Sequence, residues 1–330
     1  MLDLNTLTLP DLLTALTADG SLDRLLASAR DEDLGPGGVP GDITALVTGA
    51  GAQPTRAHLR ARQPGTLAGV ACIAPLLAVM APGARATLHI HDGSRFTPGD
   101  RIATIAGPLG EILGAERTLL NLVSRLSGIA TRTAEFVARL EGLPARLLDT
   151  RKTTPGLRSL EKYAVRCGGG FCHRIGLFDA VLIKDNHIAA VDPDRLAGFV
   201  LDASRRAREF ADSSGGLRFI ELEVDRLDQL EIILAAGGCG LDIVLLDNMD
   251  PATLAAAVAM RNAAGVRLLL EASGGVRLDT VRAIAQTGVD RISVGGLTHH
   301  AASLDLGLDI DEANPARPTP PPARPPTRTS

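Results

Sequence analysis

The sequence predicts an α/β protein in which a small α+β region is followed by a parallel α/β barrel of eight strands or fewer. Its 330 residues correspond to about two domains, and 45% of them are apolar, enough for a substantial core. The third observation is a repeat: β-rich runs recur every 24 residues, near positions 221, 245, 269 and 293, with helical patterns between them. Strands and helices alternating in this way are typical of βαβ units, whose strands are parallel.

The N-terminal part has more varied elements. A helical lead-in over 1–30 precedes a glycine- and proline-rich loop over 31–44. The uncharged run 67–84 is interpreted as a buried helix rather than a membrane span, because prolines interrupt it. The other predicted elements are strands at 56–63, 86–92 and 101–106, a tight turn at 92–100 and a long helix at about 112–141.

The barrel strands are predicted after residue 145. Runs this apolar need cover on both faces, which helical patterns at 228–236, 251–261 and 278–287 supply. The tail 315–330 has seven prolines in 16 residues and is predicted to be disordered. The six strands are predicted at 146–152, 180–185, 219–225, 242–248, 267–273 and 291–296.

Composition argues against several classes of protein. A net charge of −4 argues against a nucleic-acid binder, and 2% aromatic residues with no Trp argue against a platform for stacking bases. The four cysteines include no CxxC pair, which argues against a disulfide scaffold and favours a reducing compartment. The first residues lack a basic segment and an apolar core, so we expect a cytoplasmic protein without a membrane partner.

Polar or glycine residues stand at the end of every predicted barrel strand. Because α/β barrels build their active sites at the carboxyl ends of the strands, we expect these groups to meet in one site. On the third strand the alternation predicts that Glu221 and Glu223 point into the barrel mouth, the alternative being an exposed polar edge strand. The strand-end residues are Asp149, Thr150, Arg151, Lys152, Lys184, Glu221, Glu223, Asp247, Glu271, Ser273, Ser293, Gly295 and Gly296.

Two further features predict anion binding. Glycine loops at 273–275 and 295–299 follow the last two strands, where backbone N–H groups form phosphate sites in such barrels. The window 149–185 holds seven Arg and Lys against four Asp and Glu, and it contains all three lysines of the chain. This excess predicts an anion richer in charge than one phosphate, whereas the alternative is a solvated basic face.

These motifs resemble the quinolinate phosphoribosyltransferase (decarboxylating) family, also called nicotinate-nucleotide pyrophosphorylase (carboxylating). The similar segments are DTRKTTPGLRSLEKYAVRCGGG (149–170), HRIGLFDAVLIKDNHI (173–188), IELEV (220–224), LLDN (245–248), EASGGV (271–276) and GVDRISVGGLTH (288–299). EDLG and GDIT within 32–44, ARQPGTLAG (61–69) and AERTLLNLVSRLSGIAT (115–131) extend the resemblance over about 10–310. The chain departs from the family in Cys172, where Asn is usual, in a longer 237–242 segment and in the extra tail.

The resemblance implies an N-terminal α+β open sandwich domain and a C-terminal incomplete parallel α/β barrel, TIM-like in its topology. It implies domains at 1–130 and 131–300, and a segment 301–314 returning to the N-terminal domain. The implied reaction joins quinolinate and phosphoribosyl pyrophosphate (PRPP) with Mg²⁺ and no organic cofactor, in a homodimer or larger assembly. Two alternatives stay open, a molybdate-operon paralogue of unknown substrate and a non-catalytic sugar-phosphate sensor.

The resemblance also implies a role for individual residues. Thr150, Lys152, Glu223 and Asp247 would contact PRPP and its ribose, with Glu223 and Asp247 near Mg²⁺. Quinolinate would be bound by Arg151, Lys152, His173, Arg174, Lys184 and, from the neighbouring subunit, Arg117. The phosphate would be bound by Ser273, Gly274, Gly275, Val294, Gly295, Gly296, Leu297 and His299.

Overall fold

A computed structural model describes residues 2–49 and 51–311. The N-terminal helices are α1 (Leu9–Thr17), α2 (Ser21–Leu34), α3 (Ile43–Thr48), α4 (Ile73–Met80) and α5 (Leu109–Arg139), with 3₁₀ turns at Pro36–Gly38 and Val70–Cys72. The N-terminal strands are β1 (Pro54–Ala61), β2 (Gly65–Thr66), β3 (Arg85–Leu88), β4 (Arg95–Phe96) and β5 (Arg101–Pro108).

The N-terminal sheet is antiparallel and includes the last strand of the described chain, β12 (Leu306–Ile310). Its order is β12-β1-β5-β3, and β2 pairs with β4 as a separate short ribbon. The long helix α5 packs on β1, β5 and β12 along a stripe of buried residues. The predicted boundary between residues 130 and 131 falls inside this helix.

The C-terminal sheet is parallel throughout, in the order β6-β11-β10-β9-β8-β7. Its strands are β6 (Arg146–Leu148), β7 (Val181–Ile183), β8 (Ile220–Val224), β9 (Ile243–Asp247), β10 (Leu269–Ser273) and β11 (Arg291–Ser293). The helices of this part are α6 (Arg158–Cys167), α7 (Asp185–Ile188), α8 (Pro193–Ser214), α9 (Leu227–Ala235), α10 (Pro251–Ala264), α11 (Val281–Gln286) and α12 (Gly296–His299).

The predicted fold class is confirmed, because each barrel strand lies inside its predicted run and the six strands form one partial barrel. Ile220, Leu222 and Val224 are fully buried, as expected for a strand covered on both faces. The predicted loop at 31–44 is partly wrong, since α2 continues to Leu34 and α3 begins at Ile43, where the Asp42 carboxylate caps the first turn.

Two other expectations are refined. The uncharged run at 67–84 forms the 3₁₀ turn and α4, and Leu76 and Leu77 of this helix are buried in the core. Among the helices of residues 2–49 and 51–311, none is long and apolar enough to cross a bilayer. The turn at 92–100 contains the short strand β4, and the proline-rich tail lies outside the described residues.

Candidate active site

A cavity of about 580 Å³ opens at the carboxyl ends of the barrel strands. Every one of the six strands contributes to its wall, because each ends at the same edge of the parallel sheet. The lining residues are Thr150, Arg151, Lys152, His173, Arg174, Leu182, Lys184, Glu223, Leu245, Asp247, Asn248, Ser273, Gly274, Gly275 and Ser293.

Positive charge dominates one side of this cavity. Lys184 Nζ lies 2.7 Å from Glu223 Oε2 at the mouth, and the lysine side chain keeps 45% of its surface exposed. Arg174 is buried, and its pKa is lowered by burial and then by the neighbouring guanidinium of Arg151. The buried Nε of Arg151 has no hydrogen-bond partner in the described part of the chain. Two adjacent guanidinium groups with an unused donor suit a ligand with more than one negative charge.

Two buried acids shape the loop that carries Thr150, Arg151 and Lys152. Asp149 Oδ1 accepts hydrogen bonds from Lys162 Nζ at 2.5 Å and from the His173 backbone N–H at 2.8 Å. Further along the loop, Glu161 accepts from the backbone N–H of Thr154 at 3.1 Å and from its hydroxyl at 2.9 Å. Arg125 forms an ion pair with Glu161, with 3.0 Å between Arg125 Nη2 and Glu161 Oε1. The loop 149–154 is therefore held in place by contacts with buried protein groups alone.

His173 lies on the cavity wall above two further carboxylates. Its Nε2 is 3.1 Å from Glu221 Oε2 and 3.3 Å from Glu271 Oε1, and its Nδ1 accepts the Arg174 backbone N–H at 2.8 Å. Burial lowers the pKa of His173, but the two carboxylates outweigh burial and raise it to about 9. Glu221 and Glu223 point to the same side of β8 as predicted, at different depths, with Glu221 fully buried below the cavity.

The glycine loop after β10 is shaped to approach an anion closely. Gly274 has φ +88°, which favours glycine, and a Cβ there would lie 2.2 Å from Asn248 Oδ1. The loop after β11 is less exposed to the cavity than predicted. Only Ser293 of that region lines the cavity, and Val294 and Leu297 are buried in the core. The other predicted residues of this loop also do not line the cavity; they are Gly295, Gly296 and His299.

Arg117 is separated from this cavity within its own chain. It lies on α5 and lines a different cavity of about 460 Å³, together with Glu32, Asp33 and Leu157. The structure therefore brings together all the residues predicted to bind quinolinate except Arg117.

Three residues of the site were not assigned a role from the sequence. Lys162 forms the buried pair with Asp149, and Arg291 Nε donates to Glu271 Oε2 at 2.5 Å. Asn248 lies beside the Gly274 loop with φ +55°, a backbone conformation that Asn tolerates better than most residues. The available signals were the clustering of the lysines for Lys162 and an Asn directly after a buried strand for Asn248.

Comparison with known proteins adds independent information. The family model described as "Quinolinate phosphoribosyl transferase, N-terminal domain" matches residues 42–127, and its C-terminal counterpart matches residues 129–309. The chain is 41% identical to the probable nicotinate-nucleotide pyrophosphorylase (carboxylating) of Bacillus subtilis, over 86% of this chain and 91% of that protein. It is 42% identical to the nicotinate-nucleotide pyrophosphorylase (carboxylating) of Mycobacterium leprae, over 82% and 91%.

The fold has a close match among solved structures. The nicotinate-nucleotide pyrophosphorylase of Francisella tularensis superposes with a TM-score of 0.76 at 36% identity, covering 94% of this chain and 99% of that one. Both the N-terminal sheet and the partial barrel therefore have counterparts in one solved protein.

Proposed function

Since this chain belongs to the quinolinate phosphoribosyl transferase family, we propose that it transfers the phosphoribosyl group of PRPP to the ring nitrogen of quinolinate, with decarboxylation. The products are nicotinate mononucleotide, pyrophosphate and CO₂, on the route to NAD. One observation carries the proposal: the strand ends bring three Arg and Lys side chains, two carboxylates and a glycine loop to one cavity, and Arg174 adds a fourth cation. That set matches a dicarboxylate and a sugar carrying a phosphate and a pyrophosphate.

The two arginines are assigned to quinolinate. A guanidinium binds a carboxylate through two parallel hydrogen bonds, which fixes the orientation of the ring as well as its position. Arg151 lies close enough to Arg174 to lower the pKa of Arg174, and a dianion between the two guanidinium groups relieves that repulsion. Oriented in this way, the ring nitrogen faces C1 of the ribose.

The remaining polar groups are assigned to PRPP. Thr150 and Lys152 face the pyrophosphate, whose departure leaves negative charge in the cavity, whereas Lys184 is assigned with the arginines to the quinolinate carboxylates. Glu223 and Asp247 face the ribose, where an oxocarbenium-like positive charge develops as the bond from C1 to the pyrophosphate oxygen breaks and the bond to nitrogen forms. The 5′-phosphate is assigned to the loop 273–275, which lines the cavity, whereas the residues 294–297 and His299, predicted to share this role, lie outside the cavity wall.

Decarboxylation follows from the first bond formed. Once ribosylated, the ring nitrogen is cationic and stabilises the electron pair that stays in the plane of the ring at C2 when CO₂ departs, and a proton then bonds to that pair. The substrate therefore supplies its own stabilising charge, and we propose that no organic cofactor takes part. The protein mainly orients and neutralises charge, which agrees with a cavity rich in fixed charges.

Mg²⁺ is proposed to bind together with PRPP. The donor set fits, because Glu223 and Asp247 both present carboxylate oxygens to the cavity, and Mg²⁺ commonly uses one or two carboxylates plus substrate phosphates. When bound, the ion would neutralise charge on the pyrophosphate.

Arg117 is proposed to act across a homodimer or larger assembly, since it does not line the strand-end cavity of its own chain. Mixed dimers of an Arg117→Ala chain and a Lys184→Ala chain test this. If Arg117 acts in trans, one of the two sites in each mixed dimer is intact, and random mixing restores about a quarter of the wild-type activity. No recovery, with mixed dimers present, would contradict the assignment.

The function itself is tested by detecting nicotinate mononucleotide from quinolinate, PRPP and Mg²⁺, with nicotinate as a parallel substrate. Product from quinolinate alone is the expected result. Binding of PRPP without turnover would favour the sugar-phosphate sensor. Failure to bind quinolinate at all would favour the molybdate-operon paralogue.

A further inference from the structure

The main chain that leads to Arg174 is held by two different parts of the protein. The N–H of Phe171 donates to a carbonyl of β6 at 2.8 Å, and its carbonyl accepts from the Asp149 N–H at 3.1 Å. The His173 N–H donates to the Asp149 carboxylate at 2.8 Å. Cys172, between them, pairs both of its main-chain groups with a residue outside the barrel.

Asn5, in the segment before α1, supplies both partners of Cys172 from 167 residues away. Asn5 Oδ1 accepts the Cys172 N–H at 2.8 Å, and Asn5 Nδ2 donates to the Cys172 carbonyl at 3.0 Å. A side-chain amide carries an acceptor and a donor side by side, so it pairs with a main chain much as a neighbouring strand does. The Cys172 side chain is a weaker anchor, because its thiol reaches only the Lys162 carbonyl, at 3.9 Å.

Asn5 is itself fixed on both sides. Its N–H donates to Asp3 Oδ1 at 3.0 Å, and its carbonyl accepts from Arg166 Nη2 at 3.3 Å. The same guanidinium donates through Nη1 to the Gly170 carbonyl at 3.0 Å, which ties the N-terminal segment to the start of the loop that carries Cys172. Leu4, next to Asn5, is buried in the core. The amide of Asn5 is therefore presented to Cys172 from a fixed position.

We infer that Asn5 is a positioning residue for the binding of quinolinate: by holding the main chain of Cys172, it fixes how the next two residues, His173 and Arg174, enter the cavity wall. This inference rests on the proposed function for the identity of the ligand. The guanidinium of Arg174 forms two parallel hydrogen bonds with a carboxylate only if its main chain is held at the right place and angle. Asn5 does not line the cavity, so its effect reaches the ligand through residues 172–174.

Two substitutions remove the amide of Asn5 without adding charge. Asn5→Leu keeps the approximate size of the side chain and offers neither donor nor acceptor. Asn5→Ala removes the same groups with a smaller side chain, so it serves as the second variant if Leu does not fit. The matched control is Asn262→Leu, because Asn262 is exposed on α10 and its side chain accepts a hydrogen bond from the neighbouring Arg261 at 2.9 Å.

The experiment combines steady-state kinetics with hydrogen–deuterium exchange. Both Asn5 variants should raise KM for quinolinate about 10-fold or more, since a misplacement of about 1 Å in a site costs up to about 100-fold. KM for PRPP should change less than about 2-fold, because the groups assigned to PRPP belong to other loops. General destabilisation would instead reduce the amount of active enzyme, which lowers the apparent kcat and leaves KM unchanged. The amides of residues 171–174 should exchange faster in both variants than in wild type and in Asn262→Leu.

Three results would overturn the inference. The first is a KM for quinolinate that stays within about 2-fold of wild type in both Asn5 variants. The second is an equal rise of the KM values for quinolinate and PRPP, and the third is unchanged exchange of the amides of residues 171–174. Absence of product from the wild type would instead refute the proposed function. The exchange measurement does not depend on turnover, so the two failures are distinguishable.

Discussion

Replacing Lys162 by Met should destabilise the protein strongly although the residue is outside the cavity. Lys162 Nζ lies 2.5 Å from Asp149 Oδ1, and both side chains have 0% of their surface exposed. Removing the ammonium leaves the Asp149 carboxylate with the His173 backbone N–H at 2.8 Å and no cation in contact. Breaking a buried ion pair in this way costs about 3–5 kcal/mol. At about 2–4 °C per kcal/mol, Tm should fall by at least roughly 6 °C.

The stability that Lys162→Met loses relative to wild type should increase with pH. Burial raises the pKa of Asp149 even with Lys162 present, and it is raised further without the ammonium. A group with a raised folded-state pKa contributes stability that is present at low pH and lost as pH rises through that pKa. Lys162→Met should therefore lose more stability relative to wild type at pH 8 than at pH 5, as measured by urea unfolding at both pH values.

A second substitution separates the charge from the hydrogen bond. In Asp149→Asn/Lys162→Met, the amide oxygen still accepts from His173 while the unpaired charge is gone, so most of the stability should return. The reasoning is refuted if Lys162→Met stays within about 1 kcal/mol of wild type, the range of an exposed pair. It is refuted equally if the double variant is no more stable than the single one.

Three other predictions follow from the same geometry. Lys184→Ala should lower turnover at least about 100-fold, as loss of a preorganised charge contact does. Tm should change by only a few degrees, because the ion pair of Lys184 with Glu223 is partly exposed. A loss of turnover below tenfold would contradict the role assigned to Lys184. Gly274→Ala should raise KM for PRPP about tenfold or more, because strain at φ +88° adds to the clash with Asn248, whereas Gly275→Ala at φ +61° enters open space and should have a smaller effect. The four cysteines are buried, with the pKa values of Cys72 and Cys172 raised to about 12 chiefly by burial, so none should react with a thiol reagent at pH 7.5 before unfolding.

Periodic features of the sequence were enough to predict the barrel. The 24-residue repeat and the apolar runs identify the six strands, and parallel strands place their carboxyl ends at one edge of the sheet. The cavity residues Arg151, Lys184, Glu223 and Asp247 could therefore be predicted before any coordinates, because a strand end is a local feature. The N-terminal part was predicted less well, since the loop at 31–44 includes ends of two helices whose caps depend on single residues such as Asp42.

The tertiary structure alone decided which charged residues line the cavity and which lie buried beneath it. All three lysines cluster in the sequence, yet Lys152 and Lys184 line the cavity while Lys162 is buried against Asp149. His173 stands in a motif rich in basic residues, but its Nε2 lies against the carboxylates of Glu221 and Glu271 from two other strands. The alternation of a strand determines the side to which a residue points. The residue that contacts this side chain belongs to a strand tens of residues away in the sequence, so only the folded barrel brings the two together.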